Sequence, residues 1–429
     1  MGNLRTCLYA YMFAKQNGGK FLLRIEDTDQ AREVGGAVEA ILKTLNLAGI
    51  SFDEGPFYQS KRKKIYKKWA DELIKRGGAY KCYCTPQRLS SLGEVKKYDK
   101  HCCGAPDRPG EPYVIRQNIP QNEGFCEYVD TVYGKISVPY SELEDGILLK
   151  SDGMPTYNFA NVIDDRLMKI THVIRGNEYL SSTPKYNLIY DAFGWKRPQY
   201  MHLAPIMRDE KNKLSKRHGD ANFEDFLQRG FLPQAIVNYI ALLGWSPGDN
   251  SEKMTVEEMT RKFSAAGVSK SGSIFDEAKL RWLNAEYIKE LPDGAFPSPQ
   301  IAKLLRPRLE LMSEIPEKLA FLTFNGDYDV ALFENKKQKI DIETARRALD
   351  VCAAVLPSIE VFTDENLKCV LTEAAAQNNL KTGQIFLPLR LAITGLPVTP
   401  GGATEIAEVL GKQETLARLK VSMTKLNKA

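Results

Sequence analysis

A chain of 429 residues, 43% hydrophobic and 26% charged, has the composition of a globular protein and the length for roughly three domains. No apolar run approaches the ~20 residues that a membrane span needs, so a helical membrane protein is excluded. A net charge of +5 does not by itself call for a polyanionic partner, but it permits one where lysines cluster. Lys61-Arg-Lys-Lys64 with Lys67-Lys68, and Lys336-Lys337 with Lys339, are such clusters, and a solvated helix face accounts equally well for each.

From Leu4 to Lys15 the apolar residues Leu4, Leu8, Tyr11 and Met12 recur at helical spacing, and Asn17-Gly-Gly19 supplies a stop. Phe21-Leu-Leu-Arg-Ile25 reads as a short buried strand that ends in an acidic cluster. A second helix follows through Val38, Ile41, Leu42 and Leu45. This alternation predicts a parallel sheet with its chemistry at the carboxyl ends of the strands. From about Tyr80 to Lys150 the chain turns to short β-rich pieces such as Tyr113-Val-Ile-Arg116 and Gly146-Ile-Leu-Leu-Lys150, which reads as an insertion. The strand–helix alternation resumes at Ile170 to Ile174 and at Tyr186 to Phe193. Beyond Asn222 helices are predicted throughout, including Phe231 to Leu243, Ile342 to Val355 and a run from Ala403.

Several residues carry chemistry. Lys213 and Lys216, three apart in Lys213-Leu-Ser-Lys-Arg-His218, can close over a triphosphate and stabilise charge as pyrophosphate leaves, or can simply be wet. Glu26, Asp27 and Asp29 follow a strand, so they can face a ligand crevice, cap the loop, or pair with Arg24 and Arg32. Cys82-Tyr-Cys84 with Cys102-Cys103 offers either a zinc site or four free thiols. The eight cysteines show no regular spacing and no secretory segment accompanies them, which fits a reducing compartment. His101, His172, His202 and His218 are read as structural or as polar loop residues.

Taken together, Gly2-Asn-Leu-Arg-Thr6, Arg24-Ile-Glu-Asp-Thr-Asp29, Lys150 to Tyr157, His172-Val-Ile-Arg-Gly176, Leu214-Ser-Lys-Arg217 and Phe275 to Trp282 resemble, in order and spacing, a bacterial or organellar glutamyl-tRNA synthetase of class I. The resemblance implies an α/β Rossmann-like catalytic domain with an inserted α+β acceptor-binding domain, followed by an all-α anticodon-binding domain. Residues 1–78 and 151–210 would form the catalytic domain, 79–150 the insertion, 211–290 the signature loop and stem-contact region, and 291–429 the anticodon domain. It implies activation of L-glutamate by ATP with Mg²⁺, then transfer to tRNA(Glu). Glu26, Tyr157, Asn161 and Arg175 would hold glutamate. Gly2, Asn3, Glu178, Lys213 and Lys216 would hold ATP, with Lys216 the principal catalytic lysine. Arg308 would favour the glutamate anticodon over the glutamine one, or else pair with Glu310 or Glu314 on a helix surface. Zn²⁺ binds near the cysteines in some relatives, although Gly104 stands where a fourth ligand falls. A cytoplasmic monomer is expected, or a mitochondrial or plastid protein if the source is eukaryotic.

The chain departs from the family pattern in two places. Gly2-Asn3 fits the end of the first signature, and the preceding strand is absent, which predicts a hole in the core, exposed strand edges and weakened activity. The stretch between Glu290 and Leu305 is some tens of residues short. The rival readings are a tRNA-binding fragment without activation chemistry, an enzyme that also charges tRNA(Gln), a glutaminyl-tRNA synthetase, and the shorter paralogue that glutamylates a tRNA base.

Overall fold

The apolar spacing at the start of the chain produces helix α1 (Gly2–Gln16) in a computed structural model that describes residues 1–29, 35–93, 97–214, 222–324 and 326–428. Leu4, Leu8 and Met12 go inside as predicted. The buried aromatic is Tyr9 rather than Tyr11, because its hydroxyl donates to the Ala241 carbonyl at 2.8 Å. Asn17 ends the helix, its amide returning to the Phe13 carbonyl at 2.8 Å.

Strand β1 (Leu22–Ile25) then pairs in parallel with β2 (Glu54–Tyr58), with helix α2 (Ala37–Leu47) between them. Helix α3 (Lys63–Lys75) buries Tyr66, Ala70 and Leu73 and turns Lys63, Lys64, Lys67 and Lys68 to solvent. Next, β3 (Ala79–Cys82), helix α4 (Pro86–Ser90), β4 (Val114–Gln117) and, after a hairpin, β7 (Ile147–Leu149) build a small antiparallel sheet of order β3-β4-β7. That hairpin, β5 (Phe125–Asp130) and β6 (Gly134–Pro139), joins a different sheet. It lies beside β9 (Gln199–Leu203) and β8 (His172–Gly176) in the order β6-β5-β9-β8, with β5, β9 and β8 parallel. Helices α5 (Tyr157–Leu167) and α6 (Thr183–Phe193) pack Phe159, Ile163, Tyr186 and Ile189 into a shared core with α3. Two-residue strands β10 (Ile206–Met207) and β11 (Ser273–Ile274) close this part of the chain.

The longer parallel strands fall into two separate ladders, apart from the short β10–β11 pair. Among the described residues β1 is bonded only to β2, and β8 only to β9, so each keeps an open edge. For this reason β1 is half-buried throughout rather than fully buried as the apolar run predicts. Both edges border one cavity of about 1140 Å³.

Contact clustering divides the chain into Met1–Asp225 with Ile236–Asp276, and Phe226–Ala235 with Glu277–Ala429. The second unit is helical. Its helices Ile342–Val355, Asp364–Gln377, Thr382–Thr394 and Ala403–Leu426 enclose Leu349, Leu371, Ile385, Leu389 and Ile406. The first of these starts where Asp341 accepts a hydrogen bond from the Thr344 amide, and the last bends at Gly411, whose φ of 76° suits glycine. Buried Arg418 ties this unit together by donating to the carbonyls of Phe321, Leu322 and Ile393. Lys336, Lys337 and Lys339 sit on an exposed turn closed by backbone bonds between Asn335 and Ile340. No described helix is long and apolar enough to cross a membrane.

Candidate active site

Residues four apart on a helix share one face, and on α5 these are Tyr157, Asn161 and Asp165. That face lines the cavity bordered by β1 and β8, together with Arg24, Glu26 and Arg175. The four residues expected to hold an amino acid, Glu26, Tyr157, Asn161 and Arg175, therefore share one chamber although they come from three segments of chain. Asn161 is buried, and its Oδ1 has no hydrogen-bond partner, so an acceptor points at no protein donor. Burial and the neighbouring Glu26 charge push the Tyr157 phenol well above its ordinary pKa, which keeps it a neutral donor.

Glu26 is both paired and available. Arg24 donates to its Oε1 through Nε at 3.2 Å and Nη2 at 3.1 Å, and reaches Asp165 on α5 through Nη1 at 2.9 Å. Pairing with Arg24 is thus realised alongside a place in the cavity, whereas Arg32 lies outside the described residues. Burial raises the Glu26 carboxyl above its usual value against the opposing pull of Arg24, and Asp165 is raised for the same reasons. Burial pulls the Arg24 guanidinium down, but Asp165 and Glu26 outweigh it and hold the group charged.

Arg175 ends β8 and is no surface ion pair: it is 9% exposed. Its guanidinium carbon lies 4.9, 4.8 and 5.6 Å from the ring centres of Tyr179, Tyr186 and Tyr200. Its Nε donates to His202 Nε2 at 3.2 Å, and its Nη2 donates to Thr183 Oγ1 at 2.6 Å. These bonds occupy one side of the planar fork, while the end formed by Nη1 and Nη2 keeps donors for a carboxylate.

The residues expected around ATP are more scattered. Gly2 and Asn3 are exposed at the N-terminus of α1, Glu178 is exposed in the turn Asn177–Tyr179, and Lys213 is exposed opposite Met207. None of them lines the cavity. The turn before Lys213 is held by Asp209, which accepts from the Lys211 and Asn212 amides. The side-chain amide of Asn212 and those backbone bonds lower the Asp209 carboxyl to about 2. Lys216, the expected principal lysine, lies outside the described residues, as does His218.

The cysteine expectation needs one correction. Cys82, Cys84 and Cys102 bring their sulfurs within 4.8 Å of one another, and the Tyr98 hydroxyl lies 3.2 Å from Cys82 Sγ and 3.4 Å from Cys84 Sγ. Cys103 does not join them. It is exposed, with its thiol directed at Asn118 Oδ1 at 3.7 Å, because consecutive residues in this turn point to opposite sides. Arg308 likewise has neither of its expected partners: it donates to the Leu304 carbonyl at 2.5 Å and pairs with Glu405 at 2.8 Å. Glu310 and Glu314 pair instead with Arg281 and Lys318.

Sequence reasoning missed Arg24 and Asp165 as part of the chamber, and it missed the buried carboxylate Asp164. The latter accepts from Arg62 at 2.9 Å, Tyr66 at 2.6 Å and Gln59 at 3.0 Å. The i, i+4, i+8 stripe through Tyr157 was the available signal for Asp165.

The chain matches the family described as tRNA synthetases class I (E and Q), catalytic domain, over residues 1–282, and the family described as anticodon binding domain over 258–423. It is 46% identical to a glutamate--tRNA ligase of Clostridium novyi, covering 100% of this chain and 96% of that protein, and 47% identical to one of Clostridium tetani, covering 99% and 95%. The first alignment runs over 467 positions, so this chain carries gaps relative to that relative. The crystal structure of a glutamate tRNA ligase from Elizabethkingia meningosepticum in complex with its amino acid superposes with a TM-score of 0.89 at 32% identity, covering 99% of this chain and 96% of that one. A matching catalytic domain, a matching anticodon domain and near-complete coverage place this chain in the glutamate--tRNA ligase family of class I tRNA synthetases.

Proposed function

We propose that the chain activates L-glutamate with ATP and transfers it to tRNA(Glu), with the chamber between β1 and β8 as the amino-acid pocket. The observation that supports this most is the convergence of a donor fork on Arg175, an unpartnered acceptor on Asn161 and a carboxylate on Glu26 in one cavity. An α-amino acid with a second carboxylate presents the complement of those groups. Arg175 takes the side-chain carboxylate, Glu26 and Asn161 Oδ1 accept from the ammonium, and Tyr157 donates a hydroxyl. The α-carboxylate is left to attack the α-phosphorus of ATP, releasing pyrophosphate. A hydroxyl of the terminal tRNA adenosine then attacks the acyl carbon, and AMP leaves. Orientation in the pocket supplies much of the rate.

Lys213 and Lys216, with Gly2, Asn3 and Glu178, are assigned to ATP. Mg²⁺, general to the class, screens phosphate charge. Segment 79–150 is assigned to the tRNA acceptor end, 211–290 to the stem and 291–429 to the anticodon. Free thiols throughout fit a reducing compartment such as the cytoplasm, and a monomer suffices because one chain supplies every group named. A charging assay with both tRNAs tests this reading: glutamate should be attached to tRNA(Glu), and no attachment of glutamate to either tRNA would overturn it. Arg308 must leave Glu405 to read a base. Arg308→Gln should raise charging of tRNA(Gln) relative to tRNA(Glu), and an unchanged ratio removes Arg308 as discriminator.

The donor set also fits zinc. Cys82, Cys84 and Cys102 would supply thiolates, with the Tyr98 hydroxyl as the nearest fourth ligand and Cys103 left out. Metal analysis of protein purified without chelator should find one equivalent, lost in Cys82→Ser and retained in Cys103→Ser. Loss in both variants alike would restore Cys103 to the site.

A further inference from the structure

Near their carboxyl ends three adjacent parallel strands carry residues that bond to one another across the sheet: Asp130 on β5, His202 on β9 and Arg175 on β8. Asp130 and His202 are fully buried, and Thr183 beside them is as well. Asp130 is anchored on both oxygens. Its Oδ1 accepts from the Val132 and Tyr133 amides at 2.9 Å, and its Oδ2 accepts from the His202 amide at 3.1 Å and from the His202 ring at 2.6 Å. Burial pushes the Asp130 carboxyl up, but the bonds from His202, Tyr133 and Val132 outweigh it and the group lies below its usual pKa. An ionised carboxylate can only accept, so His202 Nδ1 carries the proton. Arg175 Nε can only donate, so the lone pair of His202 Nε2 receives it. Thr183 completes the set: its Oγ1 accepts from Arg175 Nη2 and donates to the Tyr179 carbonyl at 2.8 Å.

The pattern leaves no freedom in the ring. A ring protonated on Nε2 would set a donor against the guanidinium, and a flipped ring would set a C–H there and another against Asp130. Among the described residues no carboxylate bonds to Arg175, so its rotation about its long side chain is fixed by two neutral acceptors and three aromatic rings. We propose that His202, locked as the Nδ1-protonated tautomer by Asp130, is a positioning residue that holds Arg175 on its Nε side and so aims the Nη1 and Nη2 end at the substrate carboxylate. This rests on the assignment of Arg175 to glutamate binding. The function of the dyad is orientation: it touches no reacting atom.

Two substitutions separate the sides of the ring. In His202→Asn the amide nitrogen can still donate to Asp130, but the acceptor that Nε2 offers to Arg175 Nε is lost. In His202→Gln the amide oxygen sits near the position of Nε2 and keeps that acceptor. Glutamate and ATP parameters of the full chain are measured for both variants and for Arg175→Leu, with circular dichroism to confirm folding. His202→Asn should raise the glutamate KM roughly tenfold or more, as expected for losing a hydrogen bond to a charged group. The ATP KM and kcat should change little, and His202→Gln should recover most of the loss. On unsubstituted protein, ¹⁵N-histidine labelling resolves only four residues, and the buried ring should show a proton on Nδ1 and none on Nε2. A proton on Nε2, equal effects on the glutamate and ATP KM, or no difference between the two His202 variants would each overturn the proposal. If Arg175→Leu itself leaves the glutamate KM unchanged, the assignment of the pocket fails first.

Discussion

Replacing Arg175 by leucine should raise the glutamate KM by on the order of a hundredfold, with the ATP KM little altered. Truncating one partner of a buried, hydrogen-bonded charge pair costs about 2–5 kcal/mol, and each ~1.4 kcal/mol is a factor of ten. Leucine keeps apolar volume among Tyr179, Tyr186 and Tyr200, so the pocket wall stays filled while the fork is removed. Steady-state kinetics at varied glutamate and at varied ATP separate the two effects. An unchanged glutamate KM in Arg175→Leu would show that the carboxylate is bound elsewhere. The conservative change Arg175→Lys should rescue only partly, since a point charge cannot give two parallel bonds.

The largest stability effect is expected at Asp164, away from the reacting groups. Its side chain has no exposure and accepts from Arg62, Tyr66 and Gln59, all on or just before α3. Asp164→Ala would leave the Arg62 charge and two other donors facing an empty acceptor site. Removing one partner of a buried pair in this way costs about 3–5 kcal/mol. Denaturant unfolding should show a clearly lower midpoint, followed through Trp69 and Trp195, which pack edge to face near α3. Asp164→Asn, which keeps one acceptor oxygen, should fall between. A midpoint within experimental error of the parent would mean that water replaces the carboxylate.

Local pattern carried much of this fold. Helix Ile342–Val355 appears with the bounds predicted for it, and Tyr157, Asn161 and Arg175 line one cavity with Glu26. The misses share a physical cause. Cys103 follows Cys102 in sequence, but a turn directs neighbouring side chains apart. Glu405 reaches Arg308 from a helix formed far later in the chain, and Asp130 reaches His202 across a strand pairing. Periodicity reports which face of an element is buried and says nothing about which distant polar group it meets there. The buried strand predicted at 21–25 is half-open for a related reason: burial on both faces and pairing on both edges are separate conditions, and β1 has one neighbour among the described strands.

That single pairing bears on the pocket itself. Glu26 follows β1 and Arg175 ends β8, and these strands belong to different ladders. Within a ladder, side chains keep their spacing because register shifts only in whole residues. Between these two ladders Arg24 is one tie, reaching from β1 to Asp165 on α5, and helix α1 is another, with Tyr11 edge-on to Phe21 just before β1 and Phe13 against His172 at the start of β8. The separation of Glu26 from Arg175 is therefore held by side-chain contacts, which can lengthen continuously, rather than by strand register, which moves in whole steps.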